Sequence, residues 1–278
     1  MVDFRKHLAA ASGTCLWIDD TDYSTRLLAG GVAPWLDVAS LIAWRQQAHA
    51  LLRPAVTVLD ASALVEAWLS HDGGLREMVI SEKRPADALG ILLGDEKLKA
   101  HVSAALKGLK RIYSGQPLAL VVLSPLTWVL RLIELVQDAR PNLDEEEVEE
   151  GAVNLADFVR AFGNDEVDVL VLQEDTSATK QYADLYELYE PVFNISRHYR
   201  WTVGLDHTRL RGPTDIDMPV DFILTQESAE ICTGLDVSAS VWAEGVTPAA
   251  PHGGFRYLRI PADAKPEEVL TRLAVLRT

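Results

Sequence analysis

Asp19, Asp20 and Asp22 crowd three carboxylates into four residues, directly after the apolar run that opens at Cys15. Packed together they repel one another, which raises at least one pKa unless a cation settles among them. Such a cluster can serve as a general acid, a metal site or a docking point for an amine, or it can cap a helix. Asp60 ends a second apolar run, Val-Thr-Val-Leu-Asp-Ala-Ser. A carboxylate there costs desolvation unless it is hydrogen-bonded, as a cap for a helix starting at Ala61, or used in chemistry. Gln173-Glu174-Asp175-Thr176 and Asp206-His207-Thr208 repeat the pattern, and an adjacent Asp and His can act as acid, base or metal ligands. Gln226, Glu227, Glu230 and Glu244 follow later runs and read equally well as helix-start or surface residues. Gathered at one rim, these groups would make an acidic mouth that favours cationic or neutral substrates. They could also hold a hard divalent metal through oxygen and His ligands.

A further candidate turn is Ser124-Pro-Leu-Thr-Trp-Val-Leu-Arg-Leu-Ile-Glu134, which follows the unbroken apolar run Leu118–Leu123. Arg131 falls one helical turn beyond Thr127 on the same face, among apolar neighbours. Its guanidinium either snorkels outward or points at an anion. Asp60, Asp20, His207 and Arg131 are therefore the candidates for acid–base work. Trp17, Asp22, Tyr23, Thr127, Trp128, Gln173, Glu174 and Asp206 are the candidate substrate contacts. No Gly-rich phosphate loop, CxxC, HExxH or GxSxG occurs, so no nucleotide cofactor is expected and no residue is assigned to a metal.

These residues need elements to hold them. Short apolar runs recur at Cys15–Asp19, Ala55–Leu59, Leu118–Leu123, Val167–Leu172, Trp201–Leu205, Asp221–Thr225, Ser238–Ala243 and Phe255–Ile260. Helical spacing predicts Val38–Leu52, Lys97–Tyr113, Glu145–Phe162, Tyr182–His198 and Lys265–Arg277 between and after them. Strands alternating with helices imply parallel pairing, and eight of them close into a single (β/α)₈ TIM barrel spanning residues 1–278. An open doubly wound sheet is the alternative. Extra helices are expected at about 67–97, and the last three units are compressed. In such barrels the loops after the strands carry the chemistry.

Bulk composition narrows the partners. With 278 residues, 48% of them hydrophobic, the chain can bury a sizeable core. Twenty-six basic against 41 acidic residues give a net charge of −15, a poor surface for nucleic acid or an anionic membrane. Cys15 and Cys232 are the only cysteines, which fits neither a disulfide framework nor a cysteine-rich zinc site. No signal-peptide layout or membrane-length apolar run is present, so a soluble, cytoplasmic protein is expected.

The order of motifs resembles the uroporphyrinogen decarboxylase-like barrels, a superfamily that includes corrinoid-linked methyltransferases and the cobalamin-independent methionine synthase barrel. Cys15-Leu16-Trp17-Ile18-Asp19-Asp20 is similar to the family's opening Pro-x-Trp-x-x-Arg strand, and Asp60 to the aspartate ending its second strand. Pro125-Leu126-Thr127…Arg131…Glu134 resembles its Pro-Phe/Trp-Thr-x-x-x-Tyr-x-x-Glu turn. Val-Asp-Val-Leu-Val-Leu-Gln-Glu-Asp, Tyr-Glu-Pro-Val at Pro191, and the closing Pro-Ala-Asp-Ala-Lys-Pro-Glu-Glu-Val also look like the family. The resemblance implies a barrel, a small-molecule substrate and a homodimer as the partner state.

The departures bear on activity. The family's paired arginines fall near Asp20 and Ser24, its active-site tyrosine at Arg131, and its late histidine around Leu258 or Arg259. Reversed charge would repel a polyanionic porphyrinogen. Gly204-Leu205-Asp206-His207 lacks the cysteine of the methyltransferases' His-x-Cys zinc site. Three functions follow: a lyase, by decarboxylation or C–C cleavage, using acid–base residues at the mouth; a methyl or alkyl transferase without the thiol-type zinc; or a binding protein on a decayed barrel.

Overall fold

Eight short segments, most of them apolar runs too short for a helix, become the strands: β1 (Leu16–Asp19), β2 (Thr57–Asp60), β3 (Leu118–Leu123), β4 (Val169–Gln173), β5 (Thr202–Asp206), β6 (Phe222–Thr225), β7 (Thr233–Asp236) and β8 (Phe255–Arg259). The computed structural model describes residues 3–11, 15–135, 144–174, 186–209 and 219–277. All ladders are parallel, in the order β1-β8-β7-β6-β5-β4-β3-β2. The Ala55 amide donates to the Leu16 carbonyl (3.2 Å) across the seam between β1 and β2. The sheet thus curls into a (β/α)₈ arrangement.

The helices are α1 (Phe4–Ala10), α2 (Thr21–Leu28), α3 (Val38–Leu52), α4 (Ala61–His71), α5 (Gly73–Ser81), α6 (Pro85–Gly94), α7 (Glu96–Ile112), α8 (Pro125–Ile133), α9 (Glu145–Arg160), α10 (Glu190–Tyr199) and α11 (Pro266–Leu276). Side chains of Asp37, Asp60, Asp72, Asp95, Ser124 and Asp144 accept the backbone amide three residues on, starting six of them. Part of the chain's acidity is therefore helix capping.

One strand differs from the sequence reading. Ser238–Ala243 is not β7; residues 240–244 form a single π-helical turn, and β7 is Thr-Gly-Leu-Asp at 233–236. Gly234 shows why β7 is short of side chains, since a Cβ there would stand 2.4 Å from Leu224 and 2.7 Å from the Phe255 ring. Packing from β6 and β8 selects a strand with almost no apolar signal of its own. Consequently Glu244 lies in an exposed turn, and Asp236 ends the strand.

Alternation along each strand sends one set of side chains inward and the other against the helices. Phe4, Trp17, Phe222 and Phe255 pack together inside the barrel, mostly edge-to-face or tilted, with ring centroids 5.3–6.0 Å apart. Phe4 from α1 closes the floor. Outside, Leu59, Leu120, Leu170, Leu172 and Leu205 pack with α4 and α6 to α9 in the main helical core.

Candidate active site at the barrel mouth

Above the aromatic floor, Val58, Val121, Val171 and Leu224 ring a cavity of about 40 Å³ at the C-terminal ends of the strands. Asp19, Asp60, Gln173, Asp206 and Tyr257 surround its polar side. A larger cavity of about 680 Å³ opens at the opposite, N-terminal end, against Phe4, Leu8, Phe222, Ile231 and Cys232. Chemistry in parallel barrels is done at the strand C-termini, so the mouth is the candidate site despite its size.

Two ion pairs close first. Asp20 takes a bidentate pair from Arg45 on α3 (3.0 and 3.2 Å), and both side chains are buried. Asp19 Oδ2 accepts from Arg259 Nε (3.0 Å) and from the Tyr257 hydroxyl (3.1 Å). Arg259 Nη2 also reaches Thr208 Oγ1 (3.2 Å) and the Tyr257 oxygen (3.3 Å). Burial pushes Asp19 up, but the charge and hydrogen bonds of Arg259, with the Thr21 amide and Tyr257, outweigh it and hold the carboxyl below its ordinary value.

Two carboxyls are left with neutral partners. Asp206 Oδ1 accepts from the Thr208 amide (2.9 Å) and hydroxyl (2.7 Å), and Oδ2 from Gln173 Nε2 (3.1 Å). Burial outweighs these bonds and raises it. Asp60 Oδ1 accepts the Ala63 amide (2.9 Å), and Oδ2 has no hydrogen-bond partner among the described residues. Burial, opposed mainly by that one amide and reinforced by Asp19 and Glu66, pushes Asp60 up to about 6. Asp60 thus both caps α4 and presents a free oxygen at the mouth, so the two sequence readings of this residue are compatible.

The remaining candidates divide by strand alternation. Trp17, Asp60, Gln173 and Asp206 line the mouth cavity, with Asp20 at its edge. His207, next to Asp206, turns the other way, and its Nε2 lies 3.2 Å from the Tyr186 hydroxyl. Glu174, next to Gln173, is buried behind the mouth with Ser124, Thr127 and Tyr189. Tyr23 and Trp128 pack in the layer between sheet and helices, and Asp22 is exposed on α2. Arg131 does not reach the mouth. It lies on the outer helical face, half-exposed, with Glu66 at 2.9 Å, because the inward side of α8 is taken by Leu126, Val129 and Leu132. Asp175 lies outside the described residues.

Asp206 and His207 point apart, and among the described residues no three His, Cys, Asp or Glu side chains stand together as a metal requires. The spacing missed Tyr257, Arg259 and the pairing of Asp19. Reading β8 with period two would have found them, since Phe255, Tyr257 and Arg259 share the inward face. Cys15 and Cys232 both sit near the N-terminal ends of their strands, and burial pushes the Cys15 thiol up to about 12. Among the described residues no helix is long and apolar enough to cross a membrane.

No protein-family model matches the chain, and no curated protein matches it in sequence. Among solved structures, a methyltransferase from Methanosarcina mazei superposes with a TM-score of 0.58 over 100% of this chain and 98% of that one, at 13% identity. The 2,3-dimethylmalate lyase, a PEP mutase/isocitrate lyase superfamily member, matches 87% of each chain at 14% identity and a TM-score of 0.37, too low to carry an argument. At 13% identity the first likeness shows the fold alone: a TIM-type barrel.

Proposed function

We propose that the protein is a small-molecule enzyme of the uroporphyrinogen decarboxylase-like superfamily, a lyase that moves a proton through Asp60 at the barrel mouth. One observation carries this reading: a carboxyl with one oxygen tied down, the other at the cavity with no hydrogen-bond partner among the described residues, and a pKa brought to about 6. A general acid–base group works best with its pKa near the working pH, because both protonation states are then populated. Above that value Asp60 takes a proton from a substrate hydroxyl or carbon; below it, Asp60 gives one back.

Charge bookkeeping supports the substrate class. Arg45 and Arg259 are spent on Asp20 and Asp19, while among the described residues Asp60 and Asp206 have no cation in hydrogen-bond contact, Arg209 and Arg259 acting on them only from farther off. A neutral or cationic substrate, such as a hydroxy carbonyl compound or an amino acid with a basic side chain, complements that remainder. A polyanion would be repelled.

The test is a screen of basic amino acids for carbon dioxide release and of neutral β-hydroxy carbonyl compounds for aldehyde release, with Asp60→Asn as the blank. Turnover should fall ~10²–10⁴-fold in the variant. An activity that survives the substitution removes Asp60 from the mechanism and this reading with it.

A further inference from the structure

The cavity of about 680 Å³ at the N-terminal end of the barrel has the volume of a small-molecule pocket and takes no part in the chemistry of the mouth. Three pieces of chain build its walls. Phe4 and Leu8, one helical turn apart on α1, form the first. The starts of β5, β6 and β7 form the second, with Val220 and Ile231 just ahead of the last two. The third is the turn from Pro251 to Gly254, in which the Gly254 amide donates to the Pro251 carbonyl (2.9 Å).

That turn is fitted to the sheet. Gly253 holds a left-handed φ of 71°, which a side chain would strain. A Cβ on Gly254 would stand 2.2 Å from the Thr233 carbonyl oxygen, so only glycine lets the turn lie this close to β7. The Cys232 thiol reaches across to the Gly253 carbonyl (3.4 Å). The wall is therefore a packed piece of backbone.

The lining is apolar, and its charges cancel. Arg5 pairs with Asp221 Oδ1, and Asp221 Oδ2 accepts the Val203 amide (2.8 Å). No other lysine, arginine, aspartate or glutamate lines the cavity among the described residues. Leu8, Val220, Ile231 and Cys232 are each only half-buried, so apolar surface is left facing the space. The Thr202 hydroxyl and the His252 ring have no side-chain hydrogen bond among the described residues. A wall of this kind recognises an uncharged, mostly apolar molecule with one or two polar atoms. The Phe4 and Phe222 rings favour an aromatic one, because rings gain from edge and offset contacts with other rings. A charged ligand would meet no unpaired opposite charge.

We infer that this cavity binds an uncharged aromatic molecule, seated against Phe4, Phe222 and Ile231, with Thr202 and His252 open to its polar atoms. The site is separate from the mouth, since the aromatic floor lies between the two cavities.

Cys232 is a built-in reporter, because its half-buried thiol lines the cavity while Cys15, the other cysteine, is buried. The full chain is titrated with N-phenyl-1-naphthylamine, an uncharged aromatic amine that fluoresces when removed from water. In parallel, the rate of Cys232 alkylation by N-ethylmaleimide is followed by mass spectrometry. One saturable site is expected, and at a probe concentration about ten times its Kd alkylation should slow about tenfold, since only the empty fraction reacts. Ile231→Trp fills the space and should abolish the saturable binding, with Leu8→Trp on α1 as the second variant should the first fail to fold. Binding that does not saturate, Cys232 left unprotected at saturation, or binding unchanged in a folded variant overturns the inference. A Cys232 that reacts no faster than Cys15 without probe shows the cavity closed. Protection that grows with protein concentration alone shows a second copy covering it, and either result overturns the inference as well.

Discussion

Replacing Asp60 by Asn should remove activity and raise stability together, and the size of the gain follows from the site. The ordinary aspartate value is 3.8 and burial holds this one at about 6, so the folded state favours the neutral form. The sign follows by linkage: ionisation costs nothing below 3.8, costs progressively more between 3.8 and 6, and costs in full above 6. Complete, that penalty is about 3 kcal/mol. Water reaches the free oxygen at the mouth and screens part of it, so we take about 1.5 kcal/mol. Asn is neutral at every pH, and its carbonyl oxygen can still accept the Ala63 amide and cap α4. At about 2–4 °C per kcal/mol for a chain of this size, the variant should melt about 3–6 °C above wild type at pH 8. The gap should shrink steadily toward pH 4.5, while other titrating groups cancel between the two proteins. Calorimetry or thermal circular dichroism across that range is the assay. Equal melting at pH 8, or a gap that does not change with pH, would refute the claim that Asp60 is a strained, desolvated acid.

The remaining expectations concern the frame. Arg45→Met leaves Asp20 as an uncompensated buried charge and should cost about 3–5 kcal/mol in urea unfolding, most of it recovered in the Asp20→Asn/Arg45→Met double variant. Phe4→Ala removes the ring that closes the barrel floor and should cost about 3–5 kcal/mol, read by the same denaturation. Arg131→Ala breaks an exposed pair with Glu66 and should change stability by less than about 1 kcal/mol and leave turnover unaltered; a large loss of turnover would return Arg131 to the site.

Much of the scaffold was legible because it is local. Leu118–Leu123 is a strand and Val38–Leu52 a helix by pattern alone, and both stand at the bounds read from the sequence. Carboxylates after apolar runs were also legible, and Asp60 and Asp206 do reach the mouth. β7 was not legible, because Thr-Gly-Leu-Asp becomes a strand only where Leu224 and Phe255 fill the space over Gly234. Arg131 was misplaced because a guanidinium amid apolar neighbours reads the same whether its helix face turns inward or out.

The three-carboxylate cluster marks the division. Composition and spacing determined that Asp19, Asp20, Asp60 and Asp206 would stand at strand ends, where desolvation makes each costly. Which of them would keep an uncompensated charge was decided by tertiary structure. Arg45 comes from α3 and Arg259 from β8, whose register sets Asp19 opposite Arg259 across 240 residues of chain. Electrostatic pairing acts over a few ångströms, and only barrel closure brings such distant residues that near.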